Sequence, residues 1–345
     1  MQLPLIFKKK KRENKMSKVV YLLGAGASRG ERGENGEIVR GVPVINEFSA
    51  TLQAMIENYR QSWDFTPYFP YFIDELMPLA LKCMHYPTID TYARQLFITE
   101  NDEYLKLKKR LSLFLTLVQV EHSHDMRYDG FIASIIKDNG QFPKDISILS
   151  WNYDHQFESS FQGFTSSNKA LRMQDLWERA GISCKAYVLQ TKHIPSHPFM
   201  YKLNGTAFVT RSDNPPHSFE ELLMSEDKYK SIYEAYTNDE IFPYLSFAWE
   251  SPEISEEKLN PYIEGAEVLV VIGYSFPYVN RIIDRKIVQN MPKLKKVYIQ
   301  DPMAKDVRQS LVSAMSERQR ELMQRGEIGI QLLESTNQFF IPPEL

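Results

Sequence analysis

Val19-Val20-Tyr21-Leu22-Leu23 runs straight into Gly24-Ala25-Gly26-Ala27-Ser28, and this junction decides the fold class. Five apolar residues with no polar alternation read as a strand covered on both faces, as in a parallel sheet. The small residues that follow let backbone N–H groups come close to a pyrophosphate at the sheet edge. Ser28 adds a hydroxyl donor. The plainer reading is a tight turn without a ligand, and the junction alone leaves the two even.

An ordinary dehydrogenase fingerprint does not continue from here. It calls for glycine at position 29, where Arg29 stands, with Gly30 one place late. The chain passes through Gly30-Glu31-Arg32-Gly33-Glu34-Asn35-Gly36 and reaches a helix only after Gly41-Val42-Pro43. No acidic residue ends a second strand ~20 residues on, where a dehydrogenase holds the ribose. A glycine-rich lid over a different kind of dinucleotide site fits better.

Outward from the junction, further apolar runs predict strands at 146–151, 185–189, 200–203, Val268–Ile272, 297–300 and 328–333. Helical spacing falls at 46–59, 88–98, 102–120, 127–138, 171–180, 219–236, 278–289 and 304–325. The alternation predicts a Rossmann-like, doubly wound α/β fold with a mostly parallel sheet. Its body covers 16–345, with a helical insertion at about 46–139 and a second at about 210–260. Residues 1–15 read as a basic tail, and Met16 as an alternative start. The apolar stretch 3–7 precedes the basic run 8–12, the reverse of a signal peptide.

Composition bounds the function. Hydrophobic residues make up 43% of 345, enough for a sizeable core, and the formal net charge is -3. That balance gives no general attraction to nucleic acid, and no direct nucleic-acid binding is expected. Two cysteines, Cys83 and Cys184, exclude a disulfide framework and a four-cysteine zinc ribbon, and fit a reducing cytoplasm. No apolar run approaches the ~20 residues of a membrane span.

The second strand ends in Asn152-Tyr153-Asp154. Ligands of open α/β sheets sit outside the carboxyl ends of the strands, so an amide and a carboxylate two positions apart would share a face there. The plainer reading has Asp154 capping a helix that begins near His155, and Asn152 satisfying a turn.

Together the motifs resemble the SIR2-like family, in particular its bacterial antiphage-defence branch that hydrolyses NAD. Gly24-Ala25-Gly26-Ala27-Ser28 is similar to the family's GAGAS loop, and Gly41-Val42-Pro43 to its G-[IV]-P. Asn152-Tyr153-Asp154 is similar to N-[YI]-D, and Gly273-Tyr274-Ser275-Phe276 to its late glycine-serine loop. The resemblance implies NAD as substrate, with no metal. It implies that Asn152 orients the water or the nicotinamide ribose, with Asp154 near the nicotinamide. Gly24, Ala25, Gly26, Ala27, Ser28 and Pro43, with Gly273, Tyr274 and Ser275, would hold the pyrophosphate and adenosine side. Asp301 would accept from the adenosine ribose, or cap a loop before Pro302.

One position departs. Where many members carry K-[LV]-H-G with a histidine base, this chain reads Lys202-Leu203-Asn204-Gly205. Asparagine takes no proton, which harms a deacetylase more than a hydrolase. Nicotinamide leaves NAD as a neutral ring, and the barrier is an oxocarbenium-like transition state that Asn152, Asp154 and Asn204 would stabilise. His155 is an alternative base. His193 and His197 have i, i+4 spacing, but Pro195 and Pro198 oppose a metal-binding helical turn. The expected activity is NAD glycohydrolysis that depletes the cell's NAD. The alternative is a non-catalytic NAD- or ADP-ribose-binding regulatory or scaffold subunit. The resemblance also implies a homo-oligomer and a defence partner such as a helicase-like ATPase; the insertion is the natural surface for docking, with plain core as the alternative reading of its apolar face.

Overall fold

A computed structural model describes residues 18–62, 66–165, 173–184, 198–207, 222, 225, 227–237, 245–250, 254 and 256–345. Among them, seven strands form one all-parallel sheet: β1 Val19–Leu23, β2 Ile146–Ser150, β3 Ile182–Cys184, β4 Met200–Lys202, β5 Val268–Ile272, β6 Lys296–Gln300 and β7 Gly329–Leu333. Their order is β3-β4-β2-β1-β5-β6-β7. The expected doubly wound parallel sheet is therefore what the chain forms. β1, β2 and β5 are buried along their whole length, as their unbroken apolar runs require. The predicted strand at 185–189 lies outside the described residues, and the described strand β3 ends just before it.

Twelve helices flank the sheet among the described residues. They are α1 Phe48–Ser62, α2 Phe69–His85, α3 Ile89–Thr99, α4 Asn101–Glu121, α5 Met126–Ile135, α6 Gln156–Gln162, α7 Met173–Ala180, α8 Lys228–Thr237, α9 Glu256–Ile263, α10 Arg281–Gln289, α11 Ala304–Ala314 and α12 Glu317–Gln324. The long helix expected at 304–325 is two, because Ser316 caps a new start with Gln319 in a capping box. Helical spacing alone did not predict α2, whose sequence carries Pro70 in its first turn and Pro78 inside.

The core divides by layer. One apolar cluster on one face of the sheet contains Val20, Leu22, Leu269 and Val271, with Ile283, Ile287 and Leu311 from the helices that follow. The opposite face carries Tyr21, Ile148 and Val270 against Tyr128, Phe131 and Ile132 of α5. A third cluster belongs to the insertion, with Leu52, Phe72, Leu76, Phe114 and Val118 at its centre. Ile232 and Tyr236 of α8 join it, and Ser112 bonds the Tyr236 hydroxyl at 2.8 Å. The two predicted insertions thus share a core, while α5, inside the first predicted span, packs on the sheet.

The connection leaving β1 leads to β2 on one side, and the connection leaving β5 leads to β6 on the other. The point between β1 and β5 is thus the topological switch, where ligands of such sheets bind.

Candidate functional site

The two glycine loops meet at that switch. Leaving β1, residues Ala25–Ala27 form a single 3-10 turn. Gly24 N–H donates to Ile272 O at 3.0 Å, and Gly26 N–H to Gly273 O at 3.0 Å. Ala27 and Ser28 N–H close on Gly24 O and Ala25 O. These amides therefore serve the protein's own carbonyls, and the Ala25 N–H, on an exposed residue, takes no acceptor among the described residues. The glycines are needed for loop-on-loop packing: a Cβ on Gly24 would come 2.5 Å from Gly273 O, and one on Gly26 2.8 Å from Gly273 Cα.

The loop after the turn is tied down. Arg32, almost wholly buried, donates to the carbonyls of Arg29, Glu31, Arg40 and Val42, and pairs with Glu47 at 2.7 Å. Val42 N–H returns to Ser28 O at 2.8 Å, which sets Pro43 in a buried position beside the turn. On the inner side Arg127, paired with Asp125 at 2.6 Å, donates to Gly26 O and Ala27 O.

Asn152 joins β2 to this turn. Its Nδ2 donates to Gly24 O at 2.9 Å and to Ser28 Oγ at 3.0 Å, and Ser28 Oγ shares a hydrogen with the Tyr128 hydroxyl at 2.9 Å. The Asn152 Oδ1 carries no hydrogen bond from the described residues, and the side chain is 7% exposed. Asp154, placed by sequence on the same face, is turned inward. Its Oδ1 accepts the Gln156 N–H at 3.0 Å at the start of α6, and its carboxylate also lies beside the Ser28 hydroxyl of the glycine turn. Burial pushes the Asp154 carboxyl up, and the Lys202 charge, the Gln156 N–H and the Ser28 hydroxyl pull it back.

Asn204 follows β4 and lies beside the ends of β2. Its Nδ2 donates to Trp151 O and to the Tyr153 hydroxyl, both at 3.3 Å. That donor geometry fixes the amide's orientation and leaves Oδ1 buried without a partner among the described residues. Its backbone O accepts the Ser246 N–H at 2.8 Å.

Beneath these residues lies a polar network that the motifs did not announce. Lys202, 2% exposed, donates to Asp154 O at 2.5 Å and to Glu158 Oε1 at 2.7 Å. Glu158 also accepts from Trp177 Nε1 at 3.1 Å. His155 Nδ1 stands 3.5 Å from Glu158, and its Nε2 lies 2.9 Å from Thr206 Oγ1. Burial raises the Glu158 carboxyl, but Lys202 and His155 outweigh it and hold it at about 2. His155, wholly buried, is a member of this network and not a base facing the glycine turns. The available signal was a lysine inside an apolar strand, which demands a buried carboxylate.

On β5's side Gly273 N–H bonds Gln300 O at 3.0 Å. The Tyr274 ring stacks on Trp151 with centroids 5.8 Å apart, and its hydroxyl donates to both oxygens of buried Asp284 at 2.8 and 2.9 Å. Tyr274 is thus an anchor for its loop, and Ser275 beside it is exposed. Asp301 accepts the Met303 N–H at 2.8 Å and so caps the turn into α11, the loop-capping alternative.

Sequence comparison adds no relative. No family model matches this chain, and no curated protein matches it significantly. Among the described residues no group of three or more His, Cys, Asp or Glu side chains is arranged to hold a metal, and no helix is long and apolar enough to cross a membrane. His193 and His197 lie outside the described residues.

Proposed function

We propose that this protein cleaves NAD at the C-terminal edge of its sheet, releasing nicotinamide and ADP-ribose. One observation carries the reading: the Asn152 amide is bonded to the glycine turn at the topological switch through Gly24 and Ser28, and its carbonyl oxygen takes no hydrogen bond from the described residues, while Asn204 stands at the end of β4, two strands from β1. The Ala25 N–H supplies one donor for a phosphate oxygen. Breaking the ribosyl–nitrogen bond leaves its electron pair on the departing ring, so no acid is required at the leaving group. What the site must supply is fixed negative potential beside a cationic sugar carbon, and preoriented amide oxygens do this without reorganising.

The SIR2-like resemblance supplies the biological setting: a cytoplasmic, oligomeric antiphage effector that depletes NAD on a trigger, with a helicase-like ATPase as candidate partner. Asn204 in place of a histidine fits hydrolysis better than deacetylation, which needs a base for the substrate-bearing ribose hydroxyl.

Replacing Asn152 with alanine tests the reading, using a fluorescent NAD analogue with and without candidate activators. Turnover is expected to fall by ~10²–10³-fold, the usual effect of removing one preorganised polar contact. Undiminished cleavage by Asn152→Ala would take the central residue out of the chemistry.

A second reading, a binding module without turnover, is favoured by the inward turn of Asp154 and by the engaged amides of the glycine loop. Calorimetric NAD binding with no nicotinamide released in any activated state would select it.

A further inference from the structure

We propose that Tyr128, in the first turn of α5, is a positioning residue of this site: acting through Ser28, it fixes which way the Asn152 amide points. The inference deepens the NAD-cleavage reading and rests on it.

Gly24 O can only accept a hydrogen, so the Asn152 atom 2.9 Å from it is the nitrogen. The second hydrogen of that nitrogen goes to Ser28 Oγ at 3.0 Å. Oδ1 therefore points away from both acceptors, the orientation in which it can face a ligand. A flipped amide would set Oδ1 against Gly24 O. Only a hydrogen offered by Ser28 could offset that repulsion.

Tyr128 withholds that hydrogen. Ser28 is wholly buried, and its hydroxyl has one hydrogen and two lone pairs. The Tyr128 hydroxyl stands 2.9 Å from Ser28 Oγ, and the Asp154 carboxylate lies beside the same oxygen. If Ser28 donates to Tyr128, its hydrogen is spent there. If Tyr128 donates to Ser28, the lone pair opposite Asn152 is filled and the Ser28 hydrogen is left to the carboxylate. Burial, and then the Asp154 charge, push the Tyr128 phenol well above its ordinary value, so it keeps its own hydrogen at neutral pH. This favours the second arrangement. In either one Ser28 offers Asn152 an acceptor alone, and the donor expected from Ser28 for a phosphate is turned into the protein.

The Tyr128 ring is itself held. It meets Phe339 edge-on at 4.9 Å and Phe157 at 6.3 Å, and its N–H bonds Asp125 O, the capping residue of α5, at 3.1 Å. Arg127, the preceding residue, donates to Gly26 O and Ala27 O. Two consecutive residues of one helical turn thus grip the glycine turn, one by its carbonyls and the other by its serine. A Tyr128 that served packing alone would act through its ring and on stability, and the two roles separate by experiment.

Tyr128→Phe keeps the ring and removes the hydroxyl. It is expected to melt within ~4 °C of wild type. Its kcat for NAD cleavage should fall by ~10–10²-fold while KM stays within about threefold, as for a misoriented group next to the reacting bond. Because Tyr128 acts through Asn152, the double variant with Asn152→Ala should turn over no more slowly than Asn152→Ala alone. Wild-type kcat in Tyr128→Phe, or losses that multiply in the double variant, would overturn the proposal and leave NAD cleavage standing. The Asn152 side-chain amide gives a readout that needs no turnover. Its NMR signal, assigned as the one missing from Asn152→Ala, should shift and exchange faster with solvent in Tyr128→Phe. An unmoved signal overturns the positioning role whether or not NAD is cleaved. A moved signal in a protein whose wild type releases no nicotinamide removes the cleavage reading alone and leaves the amide's orientation set by Tyr128.

Discussion

Gly273→Ala is expected to melt ~3–8 °C below wild type and to lose its fixed ligand site. Gly273 has φ +58, and an added Cβ would lie 2.4 Å from the Gly26 carbonyl carbon and 2.5 Å from the Ala27 nitrogen. Two costs combine: a left-handed backbone on a residue with a Cβ, about 1–3 kcal/mol, and forced separation of two packed backbones, about 1–3 kcal/mol more. Gly36→Ala provides the control, because Gly36 has φ +84 but nothing within 4 Å of its Cβ position. It should lose only the backbone part. Equal melting shifts for the two variants would show that the glycine loops do not press on each other.

Lys202→Met should destabilise the protein by about 3–5 kcal/mol, because it leaves the Glu158 carboxylate, 1% exposed, in the interior without its cation. Adding Glu158→Gln should recover much of the loss, and urea unfolding of the two single variants and the double variant measures it. The pH dependence has a definite sign. The Glu158 carboxyl is held at about 2 in the folded protein. Its contribution, roughly 3 kcal/mol, is therefore present above the unfolded value and is lost as pH falls through the folded one. In Lys202→Met the same carboxyl is pushed up by burial and protonates early, so the gap between variant and wild type narrows from pH 7 towards pH 3. Burial raises the Asp154 and Asp284 carboxyls, which gain stability as pH falls; comparing variants removes that background.

Residue pattern exposed the sheet because burial on both faces writes itself into sequence. Val19–Leu23 and Val268–Ile272 match their predicted bounds, and β2 differs by one residue. Strand ends were legible for the same reason, so Asn152 was placed beside the glycine turn before any coordinates. Side-chain direction was not. Asp154 serves α6 because its own backbone turn puts the Gln156 N–H within reach, a preference no spacing rule separates from a ligand contact. The α2 helix was hidden by prolines, one harmless in a first turn and one tolerated inside because Phe72, Leu76 and Leu79 bury its face. Arg127 was invisible because its importance comes from the carbonyls that the chain brings to it across long separations.

The parallel register sets a schedule for synthesis. Val19 pairs with Ile146 on one side and with Val268 on the other. At ~5–20 residues/s the ribosome leaves this central strand one-sided for roughly 6–24 s between completion of β2 and of β5, its backbone edge unpaired. Over that interval nascent-chain holdases have a defined target. Slowed translation between β2 and β5 should lower the yield of folded protein more than the same delay placed after β7.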